Sequence, residues 1–539
     1  MDTLLNLPWL AANVPGYLQF RQALANPEQA QRSILRSSLK KNAGTAFGQA
    51  HGFATICTAE EYRQRVPLAL WEDLAPWVER VATGEPSVLT RSAVKTLELT
   101  SGSSAAAKRI PYTAELQAEI RRAVAPWIVD LYAHRPRIAR GTAYWSITPL
   151  ALEEERSEGP VPVGFEEDAA YLGGVWRRLA DATLAVPGTV RHIRDGDAFR
   201  YVTLLFLLRR RDLSLISVWH PSFLTLLMAA LPRFWDALLR DVERGGLTPP
   251  GPIPEPVRQA LAARLAARPL RAAELRRTRP DHPSRIWPRL GLISCWGDAH
   301  AALSLPELAR IFPGVEIQPK GLLATEGFVT IPFAGAWPIA LRSHFLEFIP
   351  EDGGEPRFAW ELEEGGSYSV ALTTGGGLYR YRLQDRVRVD GFVEKTPSLR
   401  FLGKEGHVSD LRGEKLHESF VATALAGACG RFGVTPRFSL LAPADDPPVG
   451  YVLYLEMETA PPEGFAGGVD EELSANPHYR LCRTLGQLAP VRVVLLERDA
   501  FSRYVEHCQR RGQRLGDVKA LSLSTLGGWA ANLRSSGVE

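Results

Sequence analysis

One stretch of the chain, residues 99–109, carries the residue types that hold phosphate groups. Its sequence, LTSGSSAAAKR, combines hydroxyl donors, a glycine that permits a tight turn, and two cations at its end. Successive backbone amides in such a loop form a nest that binds anions. It is not a Walker loop, because no Gly-Lys-Ser/Thr follows at the required spacing. The pattern fits a phosphate-binding loop and, equally well, a mobile Gly-Ser surface loop. The central residues are Ser101, Gly102, Ser103 and Ser104.

Four polar residues farther along the chain are of types that complete a nucleotide site. Thr325 and Glu326 follow a strand-like segment, and a carboxylate beside phosphate can hold Mg²⁺. Asp385 also follows a strand, where an acidic residue can accept both hydroxyls of a ribose. Lys519 lies in a glycine-bearing tail, from which a lysine can reach a carboxylate and a phosphate. Taken singly, these residues are more typical of exposed turns, strand-end salt bridges and solvated tails.

The hydrophobic pattern predicts the elements that must position these residues. Residues 1–90 have helical patterns, residues 94–99 alternate as a strand, and residues 114–132 repeat apolar side chains at helical spacing. Strands separated by helices predict α/β layers, and the strands that crowd after residue 340 predict antiparallel pairing as well. Segments typical of strands are residues 142–147, 201–208, 213–219, 292–297, 315–318, 321–324, 345–349, 368–372, 378–383 and 386–392.

A domain boundary is predicted near Gly403. The chain before it is long and rich in strands, whereas the chain after it contains a self-contained α+β set of elements. We therefore expect a large N-terminal domain of β-sheets with flanking helices at residues 1–402. A small, mobile α+β C-terminal domain is expected at residues 403–539.

Composition excludes several classes of function. The net charge of +3 over 539 residues gives no support for nucleic-acid binding, which requires a concentrated basic face. The five cysteines are scattered and form no CxxC pair, so a reducing, cytoplasmic location is expected. The N-terminus lacks the features of a signal peptide. The apolar stretch 213–235 is interrupted by proline and histidine, so we expect a buried strand and a helix from Pro221 rather than a membrane span.

The order of these motifs resembles that of the adenylate-forming superfamily, which includes acyl-CoA synthetases and luciferases. Finer details resemble the Gretchen Hagen acyl acid–amido synthetases, which are plant hormone-conjugating enzymes with bacterial relatives. The resemblance covers nearly the whole chain. The matching segments are TAFG at 45–48, HFLEFIP at 344–350, GGLYRYR at 376–382 followed by Asp385, and LRGEKL at 411–416.

For the phosphate side of the site, the resemblance implies a role for each matching residue. Thr325 would contact the α-phosphate of ATP, and Glu326 would bind Mg²⁺. Three alanines, residues 105–107, replace polar or small residues of the family's loop, which leaves the loop's fine geometry open. The residues that would cradle the triphosphate are Ser101, Gly102, Ser103 and Ser104.

The resemblance also implies roles around the ribose and the acyl group. Asp385 would bind the ribose hydroxyls, Lys404 would lie at the hinge between the domains, and Lys519 would bridge the acyl carboxylate and the phosphate. The family usually has Gly-Asp where this chain has Gln384-Asp385, so the turn is altered. Thr325 replaces the serine that is usual in the plant enzymes, which is a mild change.

The implied reaction is ATP-dependent joining of a carboxylic acid to an amine, for which an amino acid is expected. An acyl-CoA synthetase that shares the acyl-adenylate intermediate is the alternative, and a non-catalytic nucleotide-binding homologue is another. Trp127, Phe345 and Phe348 indicate room for an apolar or aromatic acid, although aromatic residues at such spacings are more often core.

Overall fold

The computed structural model describes residues 6–99, 108–145, 160–162, 183–351, 353–405, 408–510, 518 and 520–533. Up to residue 82 its elements are helical, as the sequence predicts. Asn26 caps the second helix, because its side-chain oxygen accepts a hydrogen bond from the Gln29 amide at 3.2 Å. The α-helices are α1 (Asn6–Leu24), α2 (Pro27–Asn42), α3 (Ala46–Ala50), α4 (Ala59–Arg65), α5 (Trp71–Ala82), α6 (Ala114–His134), α7 (Gly196–Leu208), α8 (Pro221–Arg244), α9 (Glu255–Ala262), α10 (Pro269–Leu275), α11 (Pro283–Ile286), α12 (Leu305–Ile311), α13 (Glu418–Phe432), α14 (Phe465–Leu473), α15 (Pro477–Thr484), α16 (Ala500–Arg510) and α17 (Trp529–Leu533).

The strands of the described residues form a parallel sheet, an antiparallel sheet, a three-stranded sheet in the C-terminal part and two separate pairs, β1-β2 and β12-β13. β1 and β2 pair antiparallel, which leaves the hydroxyl-rich stretch between two hydrogen-bonded strands. The strands are β1 (Val94–Leu99), β2 (Arg109–Thr113), β3 (Thr142–Trp145), β4 (Leu213–Ser217), β5 (Leu292–Cys295), β6 (Glu316–Pro319), β7 (Phe345–Pro350), β8 (Arg357–Phe358), β9 (Ser367–Thr373), β10 (Tyr381–Val393), β11 (Thr396–Lys404), β12 (Val408–Ser409), β13 (Leu416–His417), β14 (Phe438–Pro443), β15 (Tyr451–Glu456) and β16 (Arg492–Leu496).

Two consecutive sheets position the predicted site residues. The first is parallel with strand order β3-β4-β5-β6, and the second is antiparallel with order β11-β10-β9-β7-β8. Helices alternate with the parallel strands along the chain, which is the expected α/β layering. Residues 320–344 connect the last parallel strand to the first antiparallel one and carry Thr325 and Glu326.

Helices α7 and α8 share a hydrophobic core with the parallel sheet. By length and composition alone, α8 could cross a membrane. Its Leu224, Leu231 and Leu238 are buried in the same core as residues of α7 and β4, as in the core helix of a globular domain. Burial in a core does not by itself exclude a membrane span, so its expected absence stays a prediction.

The C-terminal part has its own sheet and its own apolar cores. β15 lies in the middle, antiparallel to β14 and parallel to β16. Leu425 of α13 and Leu453 of β15 are buried in one core, and Tyr504 of α16 and Leu440 of β14 are buried in another. This is the small α+β unit that the sequence predicts; the boundary at residue 402/403 stays a prediction.

Three predictions about the elements are wrong. Residues 201–208 are helical, within α7, because the run is buried on all sides and its periodicity cannot distinguish a strand from a helix. The missed signal is Asp195, whose Oδ1 accepts a hydrogen bond from the Ala198 amide at 2.7 Å and caps the helix. Residues 321–324 form only an isolated bridge at Leu323, and residues 378–392 contain one strand, β10, rather than two.

Candidate functional site

The structure describes four of the nine predicted site residues. Ser101, Gly102, Ser103, Ser104 and Lys519 lie outside the described residues, so their predicted roles are not tested. On the flanks of the serine loop, Leu99 of β1 pairs with Arg109 of β2. The sequence did not predict β2, which places the loop at the end of a two-stranded ladder rather than directly before a helix.

Lys108, at the end of the serine loop, reaches the start of β10. Its Nζ donates a hydrogen bond to the Tyr381 hydroxyl at 2.9 Å. Burial raises the pKa of Tyr381, and the negative charges of Glu326 and Asp385 raise it further. One buried phenol is thus close to three chain segments that the sequence singled out. It will stay protonated, because deprotonation would place a third negative charge there.

Thr325 and Glu326 occupy the tip of a tight turn. The backbones of Ala324 and Gly327 exchange two hydrogen bonds of 3.1 Å, and the neighbouring pair Leu323 and Phe328 forms an antiparallel bridge. This two-residue turn presents the threonine hydroxyl and the glutamate carboxylate away from the ladder, and both side chains are partly exposed. The geometry suits residues that must meet a phosphate or a metal ion.

Gly327 is required by the close approach of His344, which the sequence analysis left without a role. A Cβ at residue 327 would lie 2.8 Å from His344 Nε2. On its other side, His344 Nδ1 lies 2.8 Å from Glu119 Oε2, and the same carboxylate oxygen accepts from the Gly375 amide at 2.8 Å. His344 is 0% exposed, and this network holds it in place against Gly327 of the turn.

Asp385 and Lys404 lie directly opposite each other on β10 and β11. Lys404 Nζ is 3.2 Å from Asp385 Oδ1, and the aspartate is 3% exposed. The negative charges of Asp385 and then Glu326 raise the pKa of Lys404 against its desolvation. The structure therefore brings Glu326, Asp385 and Lys404 into one electrostatic cluster, although they are separated by up to 78 residues.

Asp385 is placed by a bulge. The pairing of β10 with β9 shifts register between Arg382 and Arg386, and Gln384 has a φ of +59°. Glycine adopts this conformation most readily. Gln384 therefore adopts a left-handed backbone conformation that glycine favours, and whether the turn differs from that of the family stays a prediction.

A buried ion pair that the sequence analysis missed anchors the start of β10. Arg380 donates to both carboxylate oxygens of Glu347 at 2.8 and 2.9 Å, and also to the carbonyls of Arg63 and Val66 at 2.7 and 2.6 Å. The Glu347 and Arg380 side chains are 1% and 4% exposed. Glu347 lies in HFLEFIP and Arg380 lies in GGLYRYR, two of the segments that carry the family resemblance. That resemblance was the sequence signal that could have identified the pair. The pair fixes the backbone immediately before Tyr381.

One of the two described neighbours of Lys519 lines a cavity together with residues of the large domain. Val518 lines a cavity together with Phe501 and Val505 of α16 and with His220 and Ser222 at the start of α8. Helix α8 begins just after β4, near the carboxyl end of that strand. This stretch of the small domain therefore lies against the end of the parallel sheet where ligands bind in α/β folds.

The aromatic residues expected to form an acid pocket are buried in one core. Phe345 and Phe348, on β7, are 1% and 0% exposed and belong to the apolar core, as the alternative interpretation held. Trp127 is 9% exposed and belongs to the same core, and its Nε1 donates to Gln318 Oε1 of β6 at 3.2 Å.

Comparison with known protein families agrees with this architecture along nearly the whole chain. The GH3 family N-terminal domain matches residues 17–317, the GH3 family central domain matches 337–404, and the GH3 family C-terminal domain matches 420–525. The chain belongs to the GH3 family. The family resemblance expected from the sequence is thereby confirmed.

Individual relatives of this GH3 protein support the same assignment. It is 25% identical to a probable indole-3-acetic acid-amido synthetase of Oryza sativa subsp. japonica, over 93% of this chain and 92% of the relative. It is 21% identical to an indole-3-acetic acid-amido synthetase of Arabidopsis thaliana, over 92% and 89%. The GH3.15 acyl acid amido synthetase structure superposes with a TM-score of 0.83 at 20% identity, covering 95% and 94% of the two chains. The predicted fold class is confirmed, and this GH3 protein is an amide-forming ligase.

Proposed function

We propose that this GH3 protein uses ATP to adenylate a carboxylic acid and then transfers the acyl group to an amino acid. The observation that carries the proposal is the convergence of Glu326, Asp385 and Lys404 around Tyr381. These residues come from different strands and turns, yet they form one polar cluster at the junction of the two sheets. Asp385 is 3% exposed, and burying a carboxylate costs free energy that a partner or a ligand must offset.

In the proposed site, Asp385 holds the ribose. An ionised carboxylate accepts several hydrogen bonds, and Lys404 lies against only one of its oxygens, Oδ1. The remaining acceptor positions can take the two ribose hydroxyls. Lys404 orients the carboxylate, and its side chain is 46% exposed at the place where the small domain begins.

Glu326 and the serine loop hold the phosphates in this proposal. Mg²⁺ prefers oxygen ligands and is usually held by one or two carboxylates together with substrate phosphates, which fits a single glutamate at a turn. Among the residues that the structure describes, no group of three or more potential ligands forms a complete metal cage. When bound, the ion would neutralise phosphate charge. Lys108 adds a cation beside Tyr381, and Thr325 can donate its hydroxyl to the α-phosphate.

The chemistry then has two balanced steps. A carboxylate oxygen of the acid attacks the α-phosphorus, the bond from that phosphorus to the bridging oxygen breaks, and pyrophosphate leaves. The amine of the second substrate attacks the acyl carbonyl, the bond to the AMP oxygen breaks, and the amine loses a proton. Lys519 is proposed to bridge the acid and the phosphate in the first step, and movement of the small domain is proposed to shield the adenylate from water.

The test is an exchange of labelled pyrophosphate into ATP with a panel of carboxylic acids. We expect exchange that depends on the acid, and an amide product, identified by its mass, only when an amino acid is added. Formation of a thioester with coenzyme A and no amide would instead support the acyl-CoA synthetase. ATP binding without exchange for any acid would support a non-catalytic homologue.

A second arm tests the metal site. Glu326→Gln should raise the Mg²⁺ concentration needed for half-maximal exchange, because a neutral amide is a weaker ligand than a carboxylate. An unchanged requirement would remove Glu326 from the metal site. We also propose a cytoplasmic location, supported by the five cysteines, all of which are free thiols in the structure.

A further inference from the structure

Helices α9, α10 and α11 and the segments between them form a strongly basic surface. From Glu255 to Arg289 the chain has nine arginines, no lysine and three acidic residues, whereas the net charge of the whole chain is only +3. Seven of these arginines are exposed, and all seven lie within residues 264–289. We call the exposed arginines of residues 264–289 the arginine face.

The apolar residues of the same segment lie on its other side. Leu261, Leu265, Leu275 and Ile286 are buried in the core that also contains residues of β4. The buried Arg271 joins α10 to α11, because its Nη2 donates to the Ile286 carbonyl at 2.6 Å. The three helices therefore cover the core with one side and present the arginines to solvent on the other.

Most arginines of this face lack an opposite charge. Arg276 pairs with Glu243 at 2.6 Å, and Arg279 lies 3.4 Å from an acidic neighbour. Like charges on one surface repel each other, and an anionic partner relieves that repulsion. Guanidinium groups suit phosphate in particular, which they bind through two parallel hydrogen bonds. The arginines that form no ion pair with any residue described by the structure are Arg264, Arg268, Arg277, Arg285 and Arg289.

An exposed leucine lies among these arginines. Leu270, in the first turn of α10, is 87% exposed, more than any other large hydrophobic side chain of the described residues. The preceding Pro269 is exposed as well. At a bilayer, such a side chain enters the acyl region while guanidinium groups stay at the level of the headgroup phosphates.

The same segment lacks the rings on which a single-stranded nucleic acid stacks. From Glu255 to Arg289 the only phenylalanine, tyrosine or tryptophan is Trp287, which is 1% exposed. Bases of a single strand stack on exposed aromatic side chains. Cations combined with an exposed aliphatic side chain therefore favour a membrane surface over such a strand.

The arginine face lies away from the edge of the parallel sheet that is expected to bind ligands. Arg289 comes three residues before β5, and Arg268 donates to the carbonyl of Arg209, four residues before β4, at 3.0 Å. These arginines are thus near the amino ends of the strands, whereas ligands in α/β folds bind at the carboxyl ends. A membrane at this face would leave the substrate edge open.

We propose that the arginine face docks this GH3 protein on an anionic membrane surface, with Leu270 inserted among the lipids. Headgroup phosphates contact the arginines, and the interaction is peripheral because it uses surface side chains only. The inference is independent of the proposed function.

The experiment measures sedimentation of the full chain with lipid vesicles. One set is phosphatidylcholine alone, and the other contains about 30% phosphatidylglycerol, which gives it a negative surface potential. We expect binding to the anionic set to be at least about tenfold tighter than to the neutral set. Raising the salt from about 0.1 M to about 1 M should release the protein, because the screening length falls from about 10 Å to about 3 Å.

A triple variant tests the arginines. It combines Arg264→Gln, Arg277→Gln and Arg285→Gln, three exposed residues without an ion pair among the described residues. Each arginine near an anionic surface strengthens binding by roughly fivefold, so the variant should bind the anionic vesicles at least about tenfold more weakly.

The matched control loses the same charge elsewhere. It combines Arg36→Gln, Arg480→Gln and Arg498→Gln, which are also exposed but lie outside the arginine face. We expect its binding to stay within about twofold of the wild type, because charges away from the contact surface are screened. Melting temperatures of both triple variants should equal that of the wild type.

Two substitutions of Leu270 test the apolar anchor. Leu270→Ser should weaken binding to the anionic vesicles by about threefold to tenfold, because the inserted apolar surface is lost. Leu270→Met keeps an apolar side chain of similar size and should bind like the wild type. Equal binding of the two variants would overturn the insertion of this residue.

The docking proposal is overturned if the chain binds neither vesicle set, binds both equally, or loses binding alike in the two triple variants. A gel shift with mixed-sequence RNA and duplex DNA is a further arm. Nucleic-acid binding that the first triple variant abolishes, without vesicle binding, would assign the face to a nucleic acid instead. Pyrophosphate exchange of every variant should equal that of the wild type, so failure of the docking and failure of the proposed function are separate results.

Discussion

In the antiparallel sheet, Arg380 meets Glu347 through two hydrogen bonds of 2.8 and 2.9 Å, and Lys404 faces Asp385 at 3.2 Å. At the edge of the parallel sheet, Lys320 lies over two indole rings and donates to a serine hydroxyl. In the first region cations contact carboxylates, and in the second the ammonium of Lys320 contacts indole rings. The ion-paired region is the one that is proposed to bind the nucleotide.

The two regions also differ in how their positions are fixed. Three features fix the backbone in the first region: the bulge at Gln384, the buried ion pair of Arg380 and the buried network around His344. At the edge of the parallel sheet, Trp219, Trp296 and Lys320 instead follow the ends of strands. We infer that substitutions in the first region damage adenylation with every acid.

The largest effect is expected at Asp385. Asp385→Ala removes the acceptor proposed for the ribose hydroxyls and leaves Lys404 without its opposite charge, which should lower the exchange rate by about 10²–10⁴-fold, the scale of two hydrogen bonds to a charged group. Asp390→Ala is the control, because Asp390 is also ion-paired, to Arg388 and Arg400, but lies near the far end of β10. Equal activity of the two variants would contradict the assignment.

A large effect on stability is expected at the buried pair. Glu347→Gln leaves Arg380 with an uncompensated charge and should lower the free energy of unfolding by about 3–5 kcal/mol. Glu471→Gln breaks the exposed pair with Arg431 and should produce no measurable change in a urea titration. If the two variants unfold at the same urea concentration, the buried pair does not anchor β10.

An intermediate effect is expected at the turn that carries Thr325 and Glu326. Gly327→Ala places a methyl group 2.8 Å from the fully buried His344, so the turn must shift, at a cost of about 1–3 kcal/mol. Exchange should fall with every acid. Gly196→Ala, where a Cβ meets nothing within 4 Å, is the control for the loss of a glycine and should retain full activity. A normal rate for Gly327→Ala would show that the turn does not need its present position.

The smallest effect is expected at Gln384. Gln384→Gly relieves a left-handed conformation that costs a non-glycine residue about 1–2 kcal/mol, and adds flexibility to the unfolded chain that offsets part of that gain. Stability should change by less than about 1 kcal/mol, and the KM for ATP should stay within about twofold of the wild type. Loss of ATP binding would mean that the glutamine side chain, not only the bulge, serves the site.

Much of the site could be predicted from the sequence, because its residues lie in short motifs at strand ends. Glu326, Asp385 and Lys404 were named from such motifs, and the structure brings them together. The partners that hold them could not be predicted. Arg380 and Glu347 are 33 residues apart, and His344 and Glu119 are 225 apart, so only the folded topology shows that they meet.

Helices and strands were predicted correctly where apolar residues repeat at a distinct helical or strand spacing. They were missed where no such spacing is visible. The run at residues 201–208 is apolar at almost every position, so helix and strand give the same pattern, and only the cap at Asp195 distinguishes them. β10 was divided in two because Gln384-Asp385 resembles a turn, although the ladder to β9 resumes beyond it, with Arg386 opposite Ser369. A bulge and a turn use the same residue types, and pairing partners decide between them.

The most direct test is a crystal structure with a stable sulfamoyl analogue of an acyl-adenylate. We expect ribose hydroxyls at hydrogen-bond distance, roughly 2.5–3.0 Å, from the Asp385 carboxylate. A nucleoside bound away from β10, with no contact to Asp385, would contradict this expectation.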